Sequence, residues 1–196
     1  MRFSIDFDSA AFTRQAKAYV QKTVTPALGE AVLYMAASAR KQLSEATEVY
    51  FDRPIDWTVD AFAFERVEGS KAAEALVYVL PGRAEYLGLE VSGGQRVAGD
   101  FATTDQGPLV PGRDAVLDEH GNLPNGYVSD AISRGVKWIE SKPGRPPILV
   151  LPGRDRLQVL AVITEKTTYK ARFPFIAIVE KAVMEKAPAA VAKYLK

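Results

Sequence analysis

The residues best equipped for acid–base or metal chemistry stand together in one short stretch, Asp118-Glu119-His120. His120 is the single histidine of the chain, and there is no cysteine. Absence of Cys excludes thiolate zinc sites, iron–sulfur clusters and cysteine nucleophiles. A metal site needs side chains that converge, whereas consecutive residues of a strand or loop diverge. A Ser–His–Asp triad would have to use His120, and no G-x-S-x-G elbow accompanies it. The stretch reads as an exposed turn. A hydrolase acting through Asp118, Glu119 and His120 is the weaker alternative. Paired carboxylates for glycoside hydrolysis do not stand out either, because nothing in the spacing of 24 acidic residues selects two of them.

A second candidate is "YLGLEVSGGQR", Tyr86 to Arg96. A phosphate cradle needs backbone N–H groups gathered at a helix N-terminus. The residues after Gly93-Gly94 are neither lysine-bearing nor helical in pattern, and no G-x-x-x-x-G-K-[ST] occurs. The glycines therefore read as a chain reversal. A third feature is Pro-Gly-Arg, which occurs four times and ends in Arg83, Arg113, Arg145 and Arg154. Pro then Gly suits the two central positions of a type II turn, each presenting an arginine at its exit. Such tips suit solvent, carboxylates of a neighbour, or phosphates.

The bulk numbers restrict the classes further. A chain of 196 residues fits one domain. With 25 basic and 24 acidic residues, the net charge of +1 argues against binding nucleic acid through a broad positive field, though not against a local basic patch. No apolar run approaches the ~20 residues that span a bilayer. Asp6 and Asp8 stand where a signal peptide needs an apolar core, which predicts a chain that stays in the cell that makes it.

The elements that must position these residues follow from periodicity. Phe3, Ile5 and Phe7 alternate with polar residues and predict a short edge strand. Asp8 or Ser9 then caps a helix with Phe12, Ala16, Tyr19 and Val20 on one side. Thr25-Pro26 predicts a break and a new helix over 26–45, with Leu28, Val32, Met35, Ala36, Ala39 and Leu43 as its stripe. A strand is expected from Ile55, and a second over 75–80 pairs with it antiparallel. Residues 81–127, broken by six Gly/Pro/Asn turn signals, read as a long loop or arm inserted in the domain. A short helix capped by Ser129 and carrying Ile132, Val136 and Ile139 follows, then a hairpin of "PPILVL" and "RLQVLAVIT". A last helix runs from Phe175 to about Leu195, with Ile176, Val179, Val183, Ala187 and Val191 inward and a kink or division at Pro188. Trp57, Phe62, Phe64, Phe173 and Phe175 are expected in the core. The class is α+β, a small antiparallel sheet against a long N-terminal helix and a C-terminal helix.

The order of short motifs carries a resemblance. "RPIDWTVDAF" is an Arg-Pro entry into an aromatic segment, and "AEYLGLEVSGGQR" takes a Tyr-Leu pair to a Gly-Gly-x-Arg turn. "DEHGNLPNGYV" precedes the short helix, and "TTYKARFPFIAIVEKAV" sets Tyr169, Arg172 and Phe173-Pro174-Phe175 before the last one. In this order the chain resembles the tail-completion proteins of long-tailed bacteriophages, the group that includes minor tail protein Z. Residues 99–118 have no counterpart in that pattern. The resemblance implies a structural virion protein, not an enzyme, that needs no cofactor or metal. It implies a ring, usually sixfold, at the head-proximal end of the tail or in the neck. Tail-tube, tail-terminator or connector proteins would be its neighbours, DNA would pass through the lumen, and no membrane would be involved. On that reading Tyr86, Leu87, Gly93, Gly94 and Arg96 are expected at a subunit interface. Arg83, Arg113, Arg145 and Arg154 are expected to meet DNA or acidic partners, and a DNA-contacting connector module is the alternative role.

Overall fold

The computed structural model describes residues 4–70, 72–140 and 142–195. The fold is α+β, with a long N-terminal helical stretch, small antiparallel sheets and a C-terminal helix. Where the sequence reads as one domain, contacts sort the chain into two compact units. One comprises Met1–Glu45, Phe62–Val79 and Phe175–Lys196, the other Ala46–Ala61 and Leu80–Pro174.

The first unit opens on helix α1 (Ser9–Tyr19). Its cap is the Asp8 carboxylate, which accepts a hydrogen bond from the Ala11 N–H at 2.8 Å, satisfying a donor that the first turn leaves free. Residues 4–8 form no strand, and Phe3 lies outside the described residues. The expected break at Thr25-Pro26 is absent. A π-helical stretch, Val20–Val24, carries α1 directly into α2 (Thr25–Tyr50). Proline lacks an N–H and crowds the carbonyl four residues back, and the wider π turn relieves both conflicts. Ala31, Ala36, Ala39 and Leu43 of α2 are buried, while Leu28 is 38% exposed. Small side chains on this stripe let neighbouring backbone approach. Arg40 Nε donates to the Phe62 carbonyl at 3.2 Å, at the start of strand β1 (Phe62–Arg66). β1 pairs antiparallel with β2 (Ala75–Val79), as the sequence predicts, with Phe62 opposite Val79.

The C-terminal helix α6 (Phe175–Tyr194) also belongs to this unit, although the whole second unit precedes it in the chain. It runs through Pro188 without dividing. Pro188 is exposed, so water can take the bond it cannot make. Ala182 and Ala190 are the residues α6 buries, whereas Ile176 and Val191 are exposed. The inward stripe is thus offset from the expected one, because close packing favours the small side chains. The Phe62 and Phe175 rings lie 6.1 Å apart, Gln42 Nε2 donates to Glu185 at 3.2 Å, and Tyr34 meets Tyr194 at 6.1 Å.

In the second unit, residues 56–59 form a single helical turn, α3 (Asp56–Val59), instead of the expected start of a strand. Trp57 is consequently 38% exposed, as is Phe64 on β1, whereas Phe62 and Phe173 are buried. Residues 81–92, expected to be irregular, form helix α4 (Pro81–Ser92). Pro81 occupies its first turn, where a missing N–H costs nothing, so the Pro-Gly that reads as a turn opens a helix. The rest of the expected arm is tied into sheets. Strand β3 (Gly94–Val97) pairs with β8 (Lys166–Tyr169), and β4 (Leu109–Pro111) pairs with β7 (Leu157–Ile163). Helix α5 (Tyr127–Ser133) has Gly126 rather than Ser129 at its N-cap and ends early. Gly135 takes φ +88, and residues 137–139 become strand β5 (Lys137–Ile139). The expected hairpin is present, β6 (Ile148–Pro152) against β7, completing a sheet ordered β4-β7-β6-β5. Ala131, Val136, Leu149, Leu160 and Ala161 form its buried cluster, with Trp138 and Tyr127 packed against it.

Candidate functional site

The four Pro-Gly-Arg tripeptides diverge in structure. Only Gly144 has the positive φ (+74) that a type II turn requires. Arg83 lies inside α4, donates from Nε to the Trp57 carbonyl at 2.7 Å and stacks on that indole, 5.3 Å from its centroid. Gly112 follows β4 with backbone so close that a Cβ would stand 2.2 Å from the Val159 oxygen. Arg113 lies 3.3 Å from Asp114, whose carboxylate also takes both Arg156 Nη groups and the Val159 N–H. Arg156 first, then that amide, holds the Asp114 carboxyl well below its usual range. Arg145 and Arg154 stand beyond opposite ends of strand β6. The four arginines therefore do not form one basic tip.

The glycine pair behaves as a reversal. Gly93 is the C-cap of α4, with φ +73, and a Cβ there would press against Tyr169 O and Ala171 N at 3.3 Å. A helix C-terminus presents carbonyls and partial negative charge, the wrong end for a phosphate. Leu87, on the inner side of α4, is fully buried.

Asp118, Glu119 and His120 form the expected turn. Asp118 Oδ1 accepts from the backbone N–H groups of His120 (3.0 Å) and Asn122 (2.8 Å). No group of three or more metal-ligating side chains gathers among the described residues. His120 instead turns toward the chain after α2, with Nδ1 3.0 Å from the Arg53 carbonyl.

That contact borders a cleft of about 330 Å³ within the second unit, formed by residues 51–58, α4, the segment from β3 to Ala102, the His120 turn and Arg172. Its walls are aromatic. Trp57 and Tyr86 lie 6.4 Å apart, and Phe51, stacked on Phe173 at 5.5 Å, closes another side. Its rim is cationic. Arg172 sits 5.0 Å from the Phe51 centroid and binds Glu90 through a fork, Nε–Oε2 2.5 Å and Nη2–Oε1 3.1 Å, a geometry that suits a planar guanidinium and a carboxylate. The Glu90 side chain is 3% exposed, and its backbone carbonyl accepts from the N–H groups of Arg172 and Phe173. Burial first, then the Glu90 charge, pushes the Tyr86 phenol up, so it stays a neutral donor. Arg53 engages Asp52, which it holds below the ordinary carboxylate range, and donates from Nη1 to the Glu119 carbonyl at 3.0 Å. Arg96 donates to the Tyr169 hydroxyl (3.1 Å) and to the carbonyls of Phe101 and Ala102 (2.8 Å each), all neutral partners. Its Nε is buried without a partner.

Of the residues expected at an interface, Tyr86 and Arg96 come together here, while Leu87, Gly93 and Gly94 shape the elements behind them. Sequence reasoning misses Arg53, Arg172, Phe51 and Phe101 as cleft residues, since they come from segments far apart in the chain. The nearest signal is the presence of Arg53 and Arg172 in the motifs that carry the resemblance. Comparison with protein-family models, curated proteins and solved structures returned no match to this chain.

Proposed function

We propose that this chain is a structural subunit that works by assembling with copies of itself, of the kind that completes the tail or joins it to the head in long-tailed bacteriophages. The observation that carries this reading is the uncovered apolar surface at the start of the chain. α1 buries none of its residues, and Phe12, Tyr19 and Val20 are 59%, 58% and 49% exposed. Ile5 and Phe7 just before it are 92% and 65% exposed. Apolar side chains concentrated this way mark a surface that another protein covers. A ring subunit needs two different patches that meet head to tail, and this segment supplies one. On this reading the protein resides in the virion, at the tail end or neck, after assembling in the host cytoplasm. It forms a ring, taken as sixfold from the resemblance, and contacts tail-tube, tail-terminator or connector proteins. It uses no cofactor and carries out no reaction.

The test is sedimentation of the purified chain over a wide concentration range, with immunodetection in particles. Closed oligomers, or incorporation at the tail or neck, are expected. A chain that stays monomeric throughout and is absent from particles overturns the reading.

A further inference from the structure

Two residues other than glycine take left-handed backbone among the described residues, Arg53 (φ +48) and Ala102 (φ +53). Both line the same cleft, from segments far apart in the chain. Such conformations are costly for side-chain-bearing residues and collect where a ligand is clamped. The cleft is also electrostatically incomplete. Arg53 has Asp52 and Arg172 has Glu90, but no carboxylate among the described residues pairs with Arg96. Arg96 is half-buried, so its charge is screened less than at an open surface and favours an anion in the cleft. The aromatic walls call for an apolar group beside it. The cleft volume of about 330 Å³ suffices for an aromatic side chain and a carboxylate together. A cavity of about 150 Å³ already takes benzene.

The chain carries a segment of that chemistry. Residues 4–8, Ser-Ile-Asp-Phe-Asp, form no helix or strand, and all five are exposed. Asp8 is committed to capping α1, which leaves Asp6 as the exposed carboxylate between two large exposed apolar side chains, Ile5 and Phe7. We propose that the cleft receives residues 4–8 of a second copy of this chain, with Asp6 meeting Arg96 and Phe7 entering between Trp57 and Phe101. This rests on the self-assembly reading and names the contact that makes it. One patch meets a different patch, so copies can add head to tail, the arrangement a ring needs.

The decisive experiment uses the full chain and its lack of cysteine. One preparation carries Ser4→Cys, which keeps Asp6 and Phe7, and another carries Asn122→Cys on the cleft wall. Mixed and oxidised, they are expected to form a disulfide-linked pair, whereas Ser4→Cys mixed with Lys181→Cys, an exposed position of α6, is not. In parallel, sedimentation of Asp6→Lys should show association weakened at least tenfold. A synthetic peptide of residues 1–12 should dissociate unmodified oligomers, and its Asp6→Asn form should not. The peptide arm needs no variant protein to fold. Oligomers that persist in Asp6→Lys, ignore the peptide and give no cleft-specific disulfide overturn the docking and leave self-assembly standing. A chain monomeric at every concentration overturns both.

Discussion

The two units solve the problem of holding a backbone in place by different means. The helical unit relies on alanine. Ala31, Ala36 and Ala39 of α2 and Ala182 and Ala190 of α6 are buried, and its polar cross-links, such as Arg66–Glu30 at 2.7 Å, are exposed. Exposed pairs of this kind contribute on the order of 0–1 kcal/mol. The second unit is built of three- to seven-residue strands and long irregular connections, and it ties them with carboxylates. Asp114 binds the segment after β4 to β7, and Glu90 binds α4 to the segment before α6. Short elements bury too little apolar area to fix their own positions, so hydrogen-bonded charge does part of that work. The same wiring leaves guanidinium groups at the rim of a cleft, whereas the helical unit leaves apolar side chains uncovered on α1.

Truncation should hurt both units, and its location separates them. Leu43→Ala and Leu149→Ala each remove a fully buried side chain and should cost about 3 kcal/mol. Hydrogen exchange resolved by segment is expected to place the first loss in α2 and the second in the β4-β7-β6-β5 sheet. Comparable is Arg172→Met, which strands the Glu90 carboxylate. It should cost about 3 kcal/mol in urea unfolding, at the low end for a broken buried pair. The low end applies because the Arg172 side chain is 52% exposed. No single charge removal in the helical unit should approach it. Gly112→Ala forces a methyl group against the Val159 carbonyl. That overpacking should cost about 2 kcal/mol, read in the same titration.

The smallest effect is a matter of pH. The folded Asp114 carboxyl titrates below its unfolded value of 3.8, so its stabilisation is present above that pH and is lost as pH falls through the lower folded value. Asp114→Asn should therefore be less stable than the parent at neutral pH. The gap should close progressively below about pH 4, as acid unfolding curves would record. A gap independent of pH would assign the role of Asp114 to shape rather than charge.

Long periodic stretches are legible in the sequence. Helix α2, the last helix and the β6–β7 hairpin all appear where spacing predicts them, and so does the pairing of β1 with β2. Asp8 is readable as a cap because capping is decided within four residues. Short elements are not legible. Pro81-Gly82 looks the same opening a helix as making a turn, and Gly82 and Gly88 lower the helical propensity of α4. Val136 and Ile139 fit a helical stripe, but Gly135 turns the chain and β6 recruits residues 137–139 as a strand. Of the candidate site, Tyr86 and Arg96 can be named from the sequence. Their neighbours Arg53 and Arg172 lie 43 positions before Arg96 and 76 after it, and no local pattern reports such a meeting.

The sequence by itself determined the class of fold, the long helices, the main hairpins and the absence of thiolate chemistry, because composition and periodicity act between residues close in the chain. Tertiary structure alone decided which of the three cleft arginines acquire carboxylate partners and which one does not. It also decided where a non-glycine backbone is held left-handed and which apolar side chains stay uncovered. Each of these depends on groups brought together from distant positions, and their energies exist only once the chain has closed around them.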